Sequence, residues 1–323
     1  MKLQNSTIKK RLNMKNFYIA LAFYAIASLS PAYGVTTSES IALAKDIKIA
    51  DVHMHLSGES TQALLEKMNR SGIAWGGGVG GIRPDGPVRV KAALGKRYIA
   101  ALGQAEYQAV LMEKGEKGLH DMTDPRFVNL FESAEKLFSE RTVRIFGEIH
   151  LNNVKSGVNS GFQIHTSFDT PSVQKMYEVA NRHDAFVQVH SEGTQNFDEI
   201  KKVARDFPKA TTIFSHCIPF TSPSDIRKLF KDHSNLICDL SAGGPVHRNM
   251  RIFTSSGPRL AWLELIEEFP DRFMLGTDPC CGLAPKYDEL VLELRVSLLP
   301  HLKVETLKKI AFQNAVRLFG LED

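Results

Sequence analysis

The stretch IADVHMHLSG, residues 49–58, sets two imidazoles and a carboxylate into a short apolar run. Side chains alternate along a β-strand, so as a strand it carries Asp51, His53 and His55 on one face and Val52, Met54 and Leu56 on the other. Two histidines two apart on a strand can grip one metal ion. On a helix, where each residue advances by about 100°, the same pair would point roughly 200° apart. Taken alone, the stretch fits equally well a strand with two exposed histidines, and the downstream sequence decides.

Strand-like and helix-like stretches alternate from here to the C-terminus. Ser60 is placed to cap a helix over 61–72 that Gly72 ends. The strand candidates that follow are IAWGGG, RYIAALGQ, RIFGEIHL, AFVQVHSEG, TTIFSHC, LICDLSAGG and RFMLGTDP. The segment AEYQAVLMEKGEKG after the third strand reads as strand or helix. Helical patterns with capping or first-turn proline signals separate the later strands, and 304–320 closes the chain with Leu307, Ile310, Ala311, Ala315 and Leu318 on one apolar face. This alternation predicts a parallel sheet, and eight strand–helix units predict a (β/α)8 TIM barrel in a single domain, with an open doubly wound sheet as the other architecture. Catalytic groups of such barrels sit at the C-terminal ends of the strands. His53, His55, Glu148, His190, His216 and Asp278 all fall at those ends, so the fold gathers them at one mouth. The glycine-rich GGGVGGIRPDGP, residues 76–87, lacks the GK[ST] ending of a phosphate cradle and is read as a mobile loop. Arg83 within it is a candidate anchor for a substrate carboxylate, and Ser241 and His247 are further candidates for contact with substrate.

The first 34 residues do not belong to this pattern. Lys2, Lys9, Lys10, Arg11 and Lys15 precede the apolar run FYIALAFYAIASLS and the small-residue end Pro31–Gly34, the order of a secretory signal. The expected organisation is a signal peptide at 1–34, a lead-in at 35–47 and the barrel at 48–323, with export to the periplasm or the medium and no stable membrane insertion after cleavage. Without those five basic residues, and with no acidic residue lost, 35 Lys and Arg stand against 36 Asp and Glu, so the formal +4 becomes −1. The remaining chain has no net basic footprint for nucleic acid. The expected partner is a small-molecule substrate, and association into a homo-oligomer is left open. Four cysteines are too few to build the fold from disulfides. Cys217, Cys238, Cys280 and Cys281 are expected as small buried residues, with a disulfide as the alternative.

DVHMH at the first strand, GEIH at the fourth, QVH at the fifth, FSHC at the sixth, GTD at the eighth and the closing FQNAVRLFG together resemble the amidohydrolase superfamily of metal-dependent hydrolases, in its amidohydrolase-related branch, over roughly residues 48–320. The resemblance implies that His53, His55 and Asp278 bind the more buried metal, and that His190 and His216 hold a second metal or orient substrate. It implies too that Glu148 stands where other members have a carboxylated lysine or a bridging glutamate. Asp278 and His216 would then be the catalytic residues, Asp278 as the proton shuttle. The GE of the fourth strand is similar to the deoxyribonuclease-like branch, and His150 departs from it; His150 is expected to orient a ligand rather than to be one. The cofactor expected is one or two divalent ions, Zn²⁺ first and Mn²⁺ or Fe²⁺ next, because the ligand set mixes imidazole and carboxylate. The implied reaction is hydrolysis of an ester, lactone or amide. Decarboxylation at a single ion and non-catalytic metal or ligand binding are the alternatives.

Overall fold

The computed structural model describes residues 36–55, 60–80, 86–155 and 163–322. The signal-like segment and Arg83 lie outside the described residues. Eight parallel strands run in order: β1 (Ile49–Asp51), β2 (Ile73–Gly77), β3 (Tyr98–Ile99, resumed at Ala101–Leu102), β4 (Ile145–Asn152), β5 (Phe186–Ser191), β6 (Thr211–Phe214), β7 (Leu236–Asp239) and β8 (Phe273–Met274). The first piece of β3 pairs with β2 and the second with β4, while β4 to β8 pair in chain order. The Val52 N–H donates to the Leu275 carbonyl at 3.0 Å and joins the first strand to the last. The result is the (β/α)8 barrel, with helices following the strands as the sequence predicted.

Two apolar clusters show the layering. Ala50, Val52, Trp75, Ile99, Ala101, Ile145, Phe186, Ile213, Ile237 and Met274, from all eight strands, pack together inside the barrel, plugged by Ala315 and Phe319 of the last helix. The outward faces of the strands and the apolar stripes of the helices make the second, larger cluster. The helix Thr61–Ser71 forms as read: the Ser60 hydroxyl accepts from the Ala63 N–H, and Gly72 ends it at φ 68°. The segment after β3 that read either way is a helix, Gln104–Lys114.

Three expectations are corrected. The first strand ends at Asp51, not beyond His55. Ala50 and Val52 face the barrel interior, so Asp51 faces away from it, and the chain bends after Asp51 to carry His53 and His55 over the mouth. The second correction concerns residues 76–80, which are buried rather than a mobile loop. Gly78, at φ 90°, packs so closely on β1 that a Cβ there would lie 2.1 Å from the Val52 carbonyl oxygen. Here glycine allows backbone to approach backbone. Lastly, Cys217 and Cys238 are fully buried but bonded to each other, linking the end of β6 to β7.

Candidate metal centre

Glu148 is at the middle of the mouth, and a bulge puts it there. Strict alternation from the inward Ile145 would turn Glu148 outward, but the pairing of β4 with β5 shifts between Phe146 and Ile149. A bulge of this kind re-aims the side chains beyond it. The two carboxylate oxygens then face two different sets of imidazoles. Oε2 is 3.5 Å from His53 Nε2, 3.4 Å from His55 Nε2 and 3.6 Å from His150 Nε2. Oε1 is 3.4 Å from His190 Nδ1 and 3.5 Å from His216 Nε2. Asp278 closes the first set, with Oδ1 at 3.3 Å from His55 Nε2 and 3.7 Å from His53 Nε2, and leans toward the second through Oδ2 at 3.8 Å from His216 Nε2.

These separations are long for hydrogen bonds, which run about 2.7–3.2 Å. Those of Glu148, and that of Asp278 to His55, match the edges of a tetrahedron around an ion whose bonds to nitrogen and oxygen are about 2.0–2.2 Å, for which donor atoms stand roughly 3.3–3.6 Å apart. Moreover, His53 Nε2, Glu148 Oε1 and Asp278 Oδ1 are buried with no hydrogen-bond partner. Three converging orphans of this kind are costly unless something positive binds them all. His53, His55 and Asp278 form one group able to hold a divalent ion, and Glu148, His150 and His190 another. His150, expected to orient a ligand, stands near enough to Glu148 and His190 to share an ion with them.

The surrounding residues fix the imidazoles. His53 Nδ1 donates to Asp239 Oδ2 at 3.0 Å, which leaves Nε2 as the ligand-capable nitrogen. His216 Nδ1 lies 2.7 Å from Ser241 Oγ, which donates in turn to Asp239 Oδ1. The same Oδ1 accepts from the His216 N–H at 3.1 Å, and Gln188 Nε2 donates to Oδ2 at 3.1 Å. Glu192 stands 3.4 Å behind His190 Nε2. Asp51 ties the two ends of the barrel together: it accepts from the Thr277 N–H and hydroxyl, the Tyr287 hydroxyl and the His53 N–H. Gly276, just before Thr277, leaves room for His53, since a Cβ there would lie 2.5 Å from the His53 Cβ.

Electrostatics follow from this crowding. Burial pushes His55 and His190 down, but Asp278 and Glu148 around the first, and Glu148 and Glu192 around the second, raise each to about 9. His53 is also raised, against its burial, by Glu148, Asp239 and Asp278. Burial opposes ionisation of Glu148 and Asp278, yet the imidazoles hold both carboxyls well below their usual range. His216 is lowered, chiefly by burial. The site therefore favours positive charge among ionised carboxylates, which is what a divalent ion would supply.

The structure brings together His53, His55, Glu148, His190, His216 and Asp278. Ser241 is buried behind His216 with its hydroxyl engaged there, away from an open substrate surface. His247 Nε2 hydrogen-bonds the Asp278 carbonyl at 2.9 Å.

The amidohydrolase family model matches residues 50–321. The chain belongs to the amidohydrolase family. No curated protein matches it significantly. Among solved structures, this amidohydrolase is similar to a Pseudomonas putida protein assigned as a 2-pyrone-4,6-dicarboxylic acid hydrolase (13% identity, 85% of this chain and 98% of that one, TM-score 0.51). It is also similar to an amidohydrolase II (14%, 84% and 99%, 0.50) and to a 2,6-dihydroxybenzoate decarboxylase complexed with 2,6-dihydroxybenzoate (12%, 85% and 99%, 0.50). At these identities the likeness is one of fold. What sequence reading of this amidohydrolase missed is Asp239, Gln188 and Glu192. Asp239 ends β7 as Asp278 follows β8, and that position was the available signal.

Proposed function

We propose that this amidohydrolase is a metal-dependent hydrolase that cleaves a small-molecule ester, lactone or amide, using two divalent ions bridged by Glu148. The observation that carries this reading is the two-sided placement of Glu148, one oxygen toward His53 and His55 and the other toward His190 and His216. His53, His55, Asp278 and Glu148 Oε2 would hold one ion; Glu148 Oε1, His190 and His216 would hold the other, with His150 beside them. The mixed imidazole and carboxylate set suits Zn²⁺ first. When bound, such ions polarise a substrate carbonyl and bring the pKa of water down to about 7.

The chain supplies the proton handling. Asp278, held ionised among the imidazoles, takes the proton of the attacking water and returns it to the leaving group. His216, its Nδ1 anchored on Ser241, keeps Nε2 toward Glu148, where it would serve the second ion. The His247 bond to the Asp278 carbonyl and the Asp278 N–H bond to the His53 carbonyl at 2.8 Å fix the turn on which the shuttle sits. Arg83 is proposed to hold a substrate carboxylate. Export is inferred from the order of residues 1–34, and the buried Cys217–Cys238 disulfide supports an oxidising compartment.

A second reading, decarboxylation at one ion, is favoured by one observation: His53, His55 and Asp278 suffice by themselves as a three-ligand group. A panel of lactones, esters, amides and aromatic carboxylates separates the readings. Acid release from the first three classes supports hydrolysis, carbon dioxide release from the last supports decarboxylation, and a metal-loaded protein inert toward all of them is a binding protein.

A further inference from the structure

The four cysteines form two pairs of opposite character. Cys217 and Cys238 are fully buried, with Cα atoms 4.7 Å apart, inside the span of about 4.4–6.8 Å usual for disulfides. Cys280 and Cys281 are neighbours in sequence, with Cys281 exposed and Cys280 half-buried. Their sulfurs are 2.8 Å apart, less than about 1 Å beyond the length of an S–S bond. They follow Asp278 and Pro279 in a turn closed by the Leu283 N–H on the Cys280 carbonyl, and Cys281 takes a left-handed φ of 55°. This turn stands at the rim of the metal centre, and neither sulfur belongs to the proposed ligand set.

We propose that Cys280 and Cys281 form a thiol–disulfide exchange site, which a small-molecule disulfide oxidises to a vicinal disulfide. The exposed Cys281 sulfur attacks the disulfide RSSR, forming a mixed disulfide and releasing RS⁻. The Cys280 sulfur then attacks Cys281 Sγ, the mixed disulfide breaks, and the second RS⁻ leaves. The two thiol protons pass to the two RS⁻, so that two cysteines and RSSR give one intrachain disulfide and two RSH. Adjacent Cα atoms are about 3.8 Å apart across a trans peptide, short of the usual disulfide span, so the ring is strained and is reduced more readily than the buried pair. The rim of the centre therefore has two covalent states on one unchanged barrel. This inference is independent of the reaction the metal centre performs.

The test treats the intact protein, its rim thiols reduced by mild dithiothreitol without denaturant, with oxidised glutathione. Intact mass should then fall by two hydrogens with no glutathione retained, both rim thiols should become inert to alkylation, and peptide mapping should place the new bond at 280–281. Mild dithiothreitol should reverse it while leaving Cys217–Cys238 intact. C280S, lacking the resolving thiol, should keep glutathione on Cys281. Wild-type protein that holds a stable glutathione adduct on Cys281, or whose two thiols remain open to alkylation, would overturn the proposal.

Discussion

Asp239 shows how one carboxylate can determine the chemistry of two imidazoles. By accepting the His53 Nδ1 proton, and through Ser241 that of His216, it leaves both Nε2 atoms with a lone pair toward Glu148. In Asp239→Asn, an amide NH₂ facing His53 would reverse that bond and move the ring proton to Nε2, the ligand position. Metal affinity should fall about 10–100-fold, read by chelator competition, with the fold retained by circular dichroism; unchanged affinity would remove Asp239 from the account. Asp278→Asn should lower kcat by at least about 10²-fold even with metal in excess. The pH dependence of the metal-free protein has a definite sign. His55 and His190 rise from 6.5 to about 9 on folding, so their stabilisation is fully present below the unfolded value and is lost as pH climbs through 9. Metal-stripped protein should therefore melt lower at pH 9.5 than at pH 6, and its metal affinity should rise over the same interval as the competing protons leave.

At the scale of elements, the irregular positions matter most. The β4 bulge turns Glu148 inward, and Gly147 makes it feasible: a Cβ on Gly147 would lie 2.1 Å from the Val79 carbonyl oxygen. Gly147→Ala should cost about 1–3 kcal/mol, the usual range for overpacking, measured by denaturant unfolding, and should weaken metal binding as Glu148 shifts. The end of β6 is similarly unusual, with His216, Cys217 and Ile218 successively left-handed. Such residues cost about 1–3 kcal/mol each and persist where their surroundings over-determine them. Here the Cys217–Cys238 bond and the Asp239 bond to the His216 N–H do so. Alternation along the chain placed Glu148 and His150 on one face correctly, since both follow the bulge. It misplaced Asp51 relative to His53, because a bend after a three-residue strand leaves no mark in hydrophobic period.

For the whole molecule, the barrel was legible because eight apolar strands separated by amphipathic helices leave few other ways to bury both faces of a parallel sheet. Five of the six central side chains were legible because each falls at or just beyond a strand's C-terminal end, a position that topology gathers, while Glu148, within β4, reaches the mouth through the bulge. Asp239 shares that strand-end position, but position alone does not show whether a carboxylate faces a metal or holds an imidazole from behind; the disulfide was not legible, since pairing depends on which strands become neighbours. No helix among the described residues is long and apolar enough to cross a membrane. With residues 1–34 removed on export, as proposed, the mature chain is expected to begin near residue 35, which intact-mass analysis of the isolated protein checks; a membrane-bound product retaining residues 1–34 would contradict the proposal.

Glu148 is proposed to join two ions in one centre. Elemental analysis of metal-replete wild type beside Glu148→Gln tests it most directly. The wild type should hold two tight equivalents and the variant one; a single tight equivalent in the wild type, unchanged by the substitution, would rule out a bridging Glu148.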